Sequence, residues 1–340
     1  MTSTPQDVLG STTRELSATY DLAMLDLDGV VYLGPDAIPG AADALRAARE
    51  SGLRLAYITN NASRPALEVA KKLREMDMPE LADEDVVTSA QAVAHLVADA
   101  VPAGSRVLLV GGAGLRVPLE ERGLECVTSL DESPVAVVQG FHGDVGWAQL
   151  AEASYAIQSG LPWYVSNTDL TVPTPRGIAP GNGSLVQAVR NATGAVPVVA
   201  GKPERALFDE TIARVGGRHP LMVGDRLDTD IDGAIAAGID SLVVLTGVSS
   251  LAEIAAAVPG HRPTYVAADL HGLGDTHHPV RIEDGRARCA GAEAVIRDGV
   301  VSVVAGGARE TDTLRAVVAL AWDATDRCDT PVVLDGTLDA

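Results

Sequence analysis

Asp21-Leu-Ala-Met-Leu-Asp26-Leu-Asp28-Gly29 carries an apolar run into a pair of carboxylates and then a glycine. A short unbroken apolar run closed by a turn signal predicts a strand buried on both faces, the kind found in parallel sheets. Side chains two apart on an extended chain point the same way, so Asp26 and Asp28 are expected to converge where the chain leaves the sheet at Gly29. Outward from this segment, further apolar runs at 53–59, 107–110, 136–139, 163–166, 221–223 and 242–245 predict strands. Between them, 3.6-residue periodicity predicts helices at 41–50, 66–76, 147–159, 207–215 and 229–237. Strands alternating with helices predict an α/β protein on a doubly wound, mainly parallel sheet. Asp26, Thr59 and Asp225 each end an apolar strand, and such sheets hold their ligands at the carboxyl ends of the strands.

The bulk properties narrow the function classes. A chain of 340 residues is long for one domain and predicts two or three packed units. Apolar residues make up 46% and charged residues 21%, and no apolar run approaches the roughly 18 residues that span a bilayer. Residues 1–20 are polar, carry Asp7 and Glu15, and lack the basic flank and apolar stretch of a secretion signal. They read as a loose tail on a cytoplasmic protein. Cys126, Cys289 and Cys328 are widely spaced, without the pattern of metal ligands or of a disulfide framework. A net charge of −20 disfavours nucleic acid and anionic membranes as partners, and an anionic substrate would need a locally positive site.

Four segments carry chemistry. Asp26 and Asp28, held close, repel each other, which raises a pKa or recruits a cation. A calcium loop is excluded, because the twelfth position, which needs a bidentate Glu, is Ala37 counted from Asp26 and Ile239 counted from Asp228. At Thr59-Asn60-Asn61, before Ser63-Arg64-Pro65 and a helix, a strand meets a helix start, where backbone donors, the Thr59 hydroxyl and the Asn60 amide suit a phosphate. Gly201-Lys202-Pro203 places one lysine in a rigid turn, and Gly224-Asp225-Arg-Leu-Asp228-Thr-Asp230 adds a third carboxylate for a hard cation such as magnesium.

Taken in order, Asp26-x-Asp28-Gly29, Thr59-Asn60, Lys202 and Gly224-Asp225-x-x-x-Thr229-Asp230 resemble the motif set of the haloacid dehalogenase superfamily. The spacing of about 140 residues between the second and third motifs resembles its class IIA, the nitrophenylphosphatase, phosphoglycolate and glycerol 3-phosphate phosphatase type, as do Tyr32-Leu-Gly and the segments Asn167-Thr-Asp169 and Pro180-Gly-Asn-Gly-Ser184. The likeness covers roughly residues 22–268. It implies a Rossmann-like core at residues 21–90 and 196–270 and an inserted α/β cap at 91–195. It further implies a Mg2+-dependent phosphatase with Asp26 as nucleophile and Asp28 as general acid and base, its backbone carbonyl on the metal. Asp26 and Asp225 would supply the other metal ligands, Asp230 would orient that shell, and Thr59, Asn60 and Lys202 would hold the phosphate.

The cap is expected to choose the substrate. His142 in Phe141-His-Gly-Asp144 and Arg176 in the Asn167 to Arg176 loop are its candidate contacts. Val110-Gly-Gly-Ala-Gly-Leu115 lacks the third spaced glycine of a dinucleotide loop and predicts a strand-to-helix turn. By resemblance the substrate is a small phosphorylated metabolite, with glycerol 3-phosphate or 2-phosphoglycolate leading and nucleotides or pyridoxal phosphate as alternatives. Outside that class stand a phosphotransferase and a non-catalytic metabolite-binding module. Residues 271–340 predict a small α/β appendage with a turn at Asp284-Gly285, strands at 294–296 and 300–304 and a helix at 311–324. It carries no catalytic constellation and suits packing on the core, a homo-oligomer contact or a regulator. His277 and His278 lack spaced ligand partners and read as surface residues.

Overall fold

The computed structural model describes residues 9–174, 176–328 and 332–336, in two compact units. The first unit takes in residues 1–55, 77–79 and 217–340, the second residues 56–76 and 80–216. Residues 1–8 of the expected tail, and the side chain of Cys328, lie outside the described set.

In the first unit four parallel strands run in the order Tyr265–Ala267, Asp240–Val244, Pro220–Gly224 and Leu22–Leu25. Every residue of Leu22–Leu25 is buried, as expected for an unbroken apolar run covered on both faces. The helix expected at 229–237 begins as a π-turn at Leu227–Ile231 and becomes α-helical only at Asp232–Ala237. Such wide turns are rare and favour functional sites. Leu9–Tyr20 is not a loose tail: Leu9 and Leu16 are buried, and the Gly10 N–H donates to the Thr264 carbonyl at 2.8 Å.

The C-terminal segment of this unit forms a sheet in the order Arg281–Glu283, Arg286–Cys289, Ala292–Arg297, Val300–Ala305 and Val333–Leu334, antiparallel except for the last pair. The helix Glu310–Cys328 packs on this sheet and on the Tyr265–Ala267 strand. Its Leu314, Val317, Val318, Leu320 and Trp322 share one apolar cluster with Val243, Ile254 and Val266 of the parallel-sheet region. Arg262, fully buried, fastens the same helix. Its guanidinium donates to both carboxylate oxygens of Asp326 at 2.8 and 2.6 Å and lies 4.8 Å above the Trp322 ring.

The second unit carries a five-stranded parallel sheet in the order Val198–Val199, Trp163–Val165, Ala136–Gln139, Arg106–Val110 and Glu125–Val127. Beside it in sequence, Tyr57 to Thr59 pairs in parallel with Val86–Thr88. The strand-to-helix turn expected at 110–115 is present, with the helix starting at Ala113. A buried carboxylate ties three helical segments of this unit: Glu210 accepts from Arg122 at 2.9 Å and Arg214 at 2.5 Å and also meets His95. Buried charge is tolerated when it is paired and hydrogen-bonded in this way.

Candidate active site

Asp26 and Asp225 follow neighbouring strands of the first unit, Leu22–Leu25 and Pro220–Gly224, so strand register alone brings their carboxylates together. Asp230 joins them from the π-turn, and one oxygen from each of Asp26, Asp225 and Asp230 lies within 4.8 Å of the others. All three are buried. Asp230 Oδ2 accepts the backbone N–H groups of Asp225 and Arg226, each at 3.1 Å, and Asp225 Oδ2 accepts that of Val248 at 2.7 Å. The other oxygen of each, Oδ1, is buried and accepts no hydrogen bond. Three buried carboxylates this close repel one another, and an all-oxygen donor set fits a hard divalent cation such as magnesium.

Asp28 stands in a different environment. It is exposed, beyond a turn in which the Gly29 N–H donates to the Tyr32 carbonyl at 2.8 Å. The two acids expected to converge are thus separated by solvation, Asp26 buried and Asp28 exposed, a difference that suits them to different tasks. Gly29 has φ +89°, and a Cβ there would lie 2.4 Å from Asp225 Oδ2, so only glycine lets the turn pass beside the carboxylate cluster. Thr246 Oγ1 donates to the Gly29 carbonyl at 2.6 Å and fixes this turn. On the next loop Arg226 pairs with Asp228 through two hydrogen bonds, which hold the Asp228 carboxyl below the ordinary carboxylate range.

The second unit assembles the other motif residues. Thr59, Asn60 and Lys202 are all buried. Thr59 Oγ1 accepts the Asn61 N–H at 3.1 Å, which leaves the hydroxyl proton to donate elsewhere. The two segments that sequence separates by 142 positions meet directly: the Lys202 N–H donates to Asn60 Oδ1 at 2.8 Å, and Asn60 Nδ2 donates to the Lys202 carbonyl at 3.0 Å. Gly201 makes this approach feasible, since a Cβ there would lie 2.6 Å from both Asn60 Oδ1 and the Ser166 carbonyl.

The two cap candidates are placed in the same unit. His142 packs over Gly112, and its Nδ1 accepts the Asp144 N–H at 3.3 Å. Arg176 is exposed at the turn of the Thr171–Thr174 and Gly177–Pro180 hairpin. Sequence reasoning assigned no role to Asp169, whose Oδ1 accepts from Asn60 Nδ2 at 3.1 Å, or to Asn167 and Ser89, whose side chains donate to the Asn60 carbonyl at 2.7 and 2.5 Å.

Residues 23–125 match the family described as haloacid dehalogenase-like hydrolase, and residues 199–273 match a second HAD-hydrolase-like family. A D-glycerol 3-phosphate phosphatase of Mycobacterium tuberculosis is 43% identical over 321 residues, covering 92% of this chain and 88% of that protein. The chain belongs to the haloacid dehalogenase-like hydrolases. An acid sugar phosphatase of Staphylococcus aureus is 37% identical over 255 residues, covering 74% of this chain and 96% of its own length. The crystal structure of a glycerol phosphate phosphatase from M. tuberculosis in complex with magnesium matches with a TM-score of 0.82 and 41% identity, over 95% of this chain and 94% of that one. A 4-nitrophenylphosphatase from Thermotoga maritima matches with a TM-score of 0.70 and 30% identity over 77% of this chain and 98% of its own. The likeness to the mycobacterial protein therefore runs past residue 268, where the motifs alone had it end, and takes in part of the C-terminal sheet and helix.

Proposed function

We propose that this haloacid dehalogenase-like hydrolase is a Mg2+-dependent phosphomonoesterase for a small phosphorylated metabolite, with glycerol 3-phosphate as its principal substrate. The observation that carries the chemistry is the buried cluster of Asp26, Asp225 and Asp230, a donor set suited to a divalent cation beside a strand-end carboxylate. The substrate rests on the mycobacterial relative, whose match covers 92% of this chain where those of the S. aureus and T. maritima proteins cover 74% and 77%. 2-Phosphoglycolate is the nearest competitor.

In this reading Asp26, Asp225 and the backbone carbonyl of Asp28 hold the cation, and Asp230 orients them through the loop amides it accepts. Bound magnesium supplies the positive charge that lets one anion approach another. The Thr59–Asn60 turn and the Lys202 ammonium bind the phosphate oxygens, a local positive site in a protein of net charge −20. An Asp26 carboxylate oxygen attacks phosphorus, the ester P–O bond breaks, and Asp28 gives its proton to the departing alkoxide. Asp28 then takes a proton from water as that water attacks phosphorus, the Asp26 acyl phosphate bond breaks and inorganic phosphate leaves. Exposed Asp28 can exchange protons with solvent between the two halves.

Phosphate release from glycerol 3-phosphate, 2-phosphoglycolate, pyridoxal phosphate, nucleoside monophosphates, sugar phosphates and an aryl phosphate, with magnesium and with chelator, tests both parts. Magnesium-dependent turnover, highest on glycerol 3-phosphate, is expected, with none from a folded Asp26→Asn variant. Turnover by that variant, or none by the wild-type chain, would remove the proposed chemistry, and another preferred ester would replace the substrate alone.

A further inference from the structure

The Asn60 side chain is spent on protein. Its carboxamide oxygen accepts the Lys202 N–H at 2.8 Å, one amide proton goes to the Lys202 carbonyl at 3.0 Å, and Nδ2 also donates to Asp169 Oδ1 at 3.1 Å. A neutral carboxamide has two N–H donors, so these contacts use both. Asn60 thus grips the main chain of Lys202 as one strand grips another, and Asp169 in turn holds Asn60. The loop that carries Asp169 is itself fixed. Asn167 Nδ2 donates to the Asn60 carbonyl at 2.7 Å, Asn167 Oδ1 accepts the Asp169 N–H at 3.2 Å, and Asn182 Nδ2 donates to the Asn167 carbonyl at 2.7 Å. The Gly183 N–H donates to the Asp169 carbonyl at 2.8 Å, and a Cβ at Gly183 would lie 2.0 Å from the Thr168 carbonyl oxygen, so the start of the Asn182–Thr193 helix presses directly on this loop.

We propose that Asp169 is a positioning residue: acting through the Asn60 carboxamide, it sets the placement of the phosphate-binding Lys202, so that the Asn167–Asp169 loop is mechanically part of the catalytic site without touching the leaving group. This rests on the phosphatase reading given above. A charge-assisted hydrogen bond to a carboxylate is stronger than a neutral one, which makes an acid the better brace for a buried amide. Small displacements of a group that binds a transferring phosphate cost rate more than they cost ground-state affinity.

The test compares the wild-type chain with Asp169→Ala, Asp169→Asn, Asn60→Ala and the Asp169→Ala/Asn60→Ala double variant, using an aryl phosphate and glycerol 3-phosphate, with melting temperature measured alongside. Asp169→Ala is expected to lower kcat about tenfold on both esters by the same factor, as displacement of a catalytic group by part of an ångström does, while KM moves less. Asp169→Asn, which keeps an acceptor oxygen, should recover most of that loss. The double variant should be no slower than Asn60→Ala alone, because both changes break one linkage. A loss confined to glycerol 3-phosphate, or one expressed in KM, would make Asp169 a substrate contact and overturn the proposal, as would additive losses in the double variant. If Asp169→Ala does not fold, Asp169→Asn and Asn60→Ala decide the matter, and wild-type rates in both would overturn the proposal. Failure of the wild-type chain to hydrolyse either ester would refute the phosphatase reading instead.

Discussion

A methyl group placed on Gly201 would lie 2.6 Å from Asn60 Oδ1 and from the Ser166 carbonyl, closer than real carbon atoms approach either. Neither neighbour has room to yield, since Asn60 is held by Lys202 and Asp169 and the other is backbone. Gly201→Ala is therefore expected to push the Lys202 turn away from Asn60, lowering kcat on every phosphate ester by on the order of tenfold or more while the folded circular dichroism spectrum persists. Retention of full activity would show that the two loops need not touch. Asp26, Thr59 and Asp225 were legible in sequence because each stands at the end of an apolar strand. Asp169 was not legible: its partner is 109 positions away, and nothing in an Asn-Thr-Asp triplet says which amide it will hold.

Among elements, the helix Glu310–Cys328 shows both what periodicity reveals and what it conceals. Its apolar repeat gave the helix at 311–324, and the branched residues of Ala292–Arg297 and Val300–Ala305 gave their strands. The strands Arg281–Glu283 and Arg286–Cys289 escaped notice because the first carries one apolar residue, Ile282, between Arg and Glu, and the inward residues of the second are the small Ala287 and Cys289 between arginines. Such strands form because the helix supplies the apolar face they lack. Trp322 anchors that helix, buried in the shared cluster with its Nε1–H donating to the Ile254 carbonyl at 2.8 Å and Arg262 over its ring. Trp322→Ala is expected to cost about 3–5 kcal/mol of stability, read as a lower denaturant midpoint. Because Trp322 lies outside the carboxylate cluster, kcat at low temperature should be unchanged. An unaltered midpoint would mean that the C-terminal sheet and helix stand independently of the parallel strands.

At the scale of the whole first unit, its N-terminal segment, its parallel-sheet region and its C-terminal helix meet at His277, which sequence placed on the surface and which is fully buried. The pairing of two histidines gave no hint of this, because burial comes from Arg315, thirty-eight positions on, and from Tyr265, whose ring meets the imidazole edge-on at 4.9 Å. The His277 N–H donates to Thr12 Oγ1 at 3.0 Å. Its Nε2 contacts the Gly272 carbonyl at 3.0 Å and so carries the proton, which leaves Nδ1 to accept from Arg315 Nη1 at 3.2 Å. Arg315 also donates to the carbonyls of Gly10 and His278. A second proton on Nδ1 would point at this guanidinium. Burial first, and the Arg315 charge second, push the pKa of His277 down to about 4 from 6.5, with Asp275 opposing and His278 reinforcing the shift. The unfolded chain, titrating near 6.5, therefore binds more protons than the folded one between pH 6.5 and 4. Stability from this group is complete above about pH 7 and is lost as pH falls through that window, by on the order of 3 kcal/mol. Carboxylates titrate over the same range, so the informative quantity is the difference from a variant that keeps the hydrogen-bonding shape without the titration. Denaturant unfolding of wild type and His277→Gln between pH 7 and pH 4 should give curves that converge as pH falls, the wild type losing stability faster. Parallel curves would mean that His277 takes up its proton as readily in the fold as in the unfolded chain, with Arg315 turned away from it.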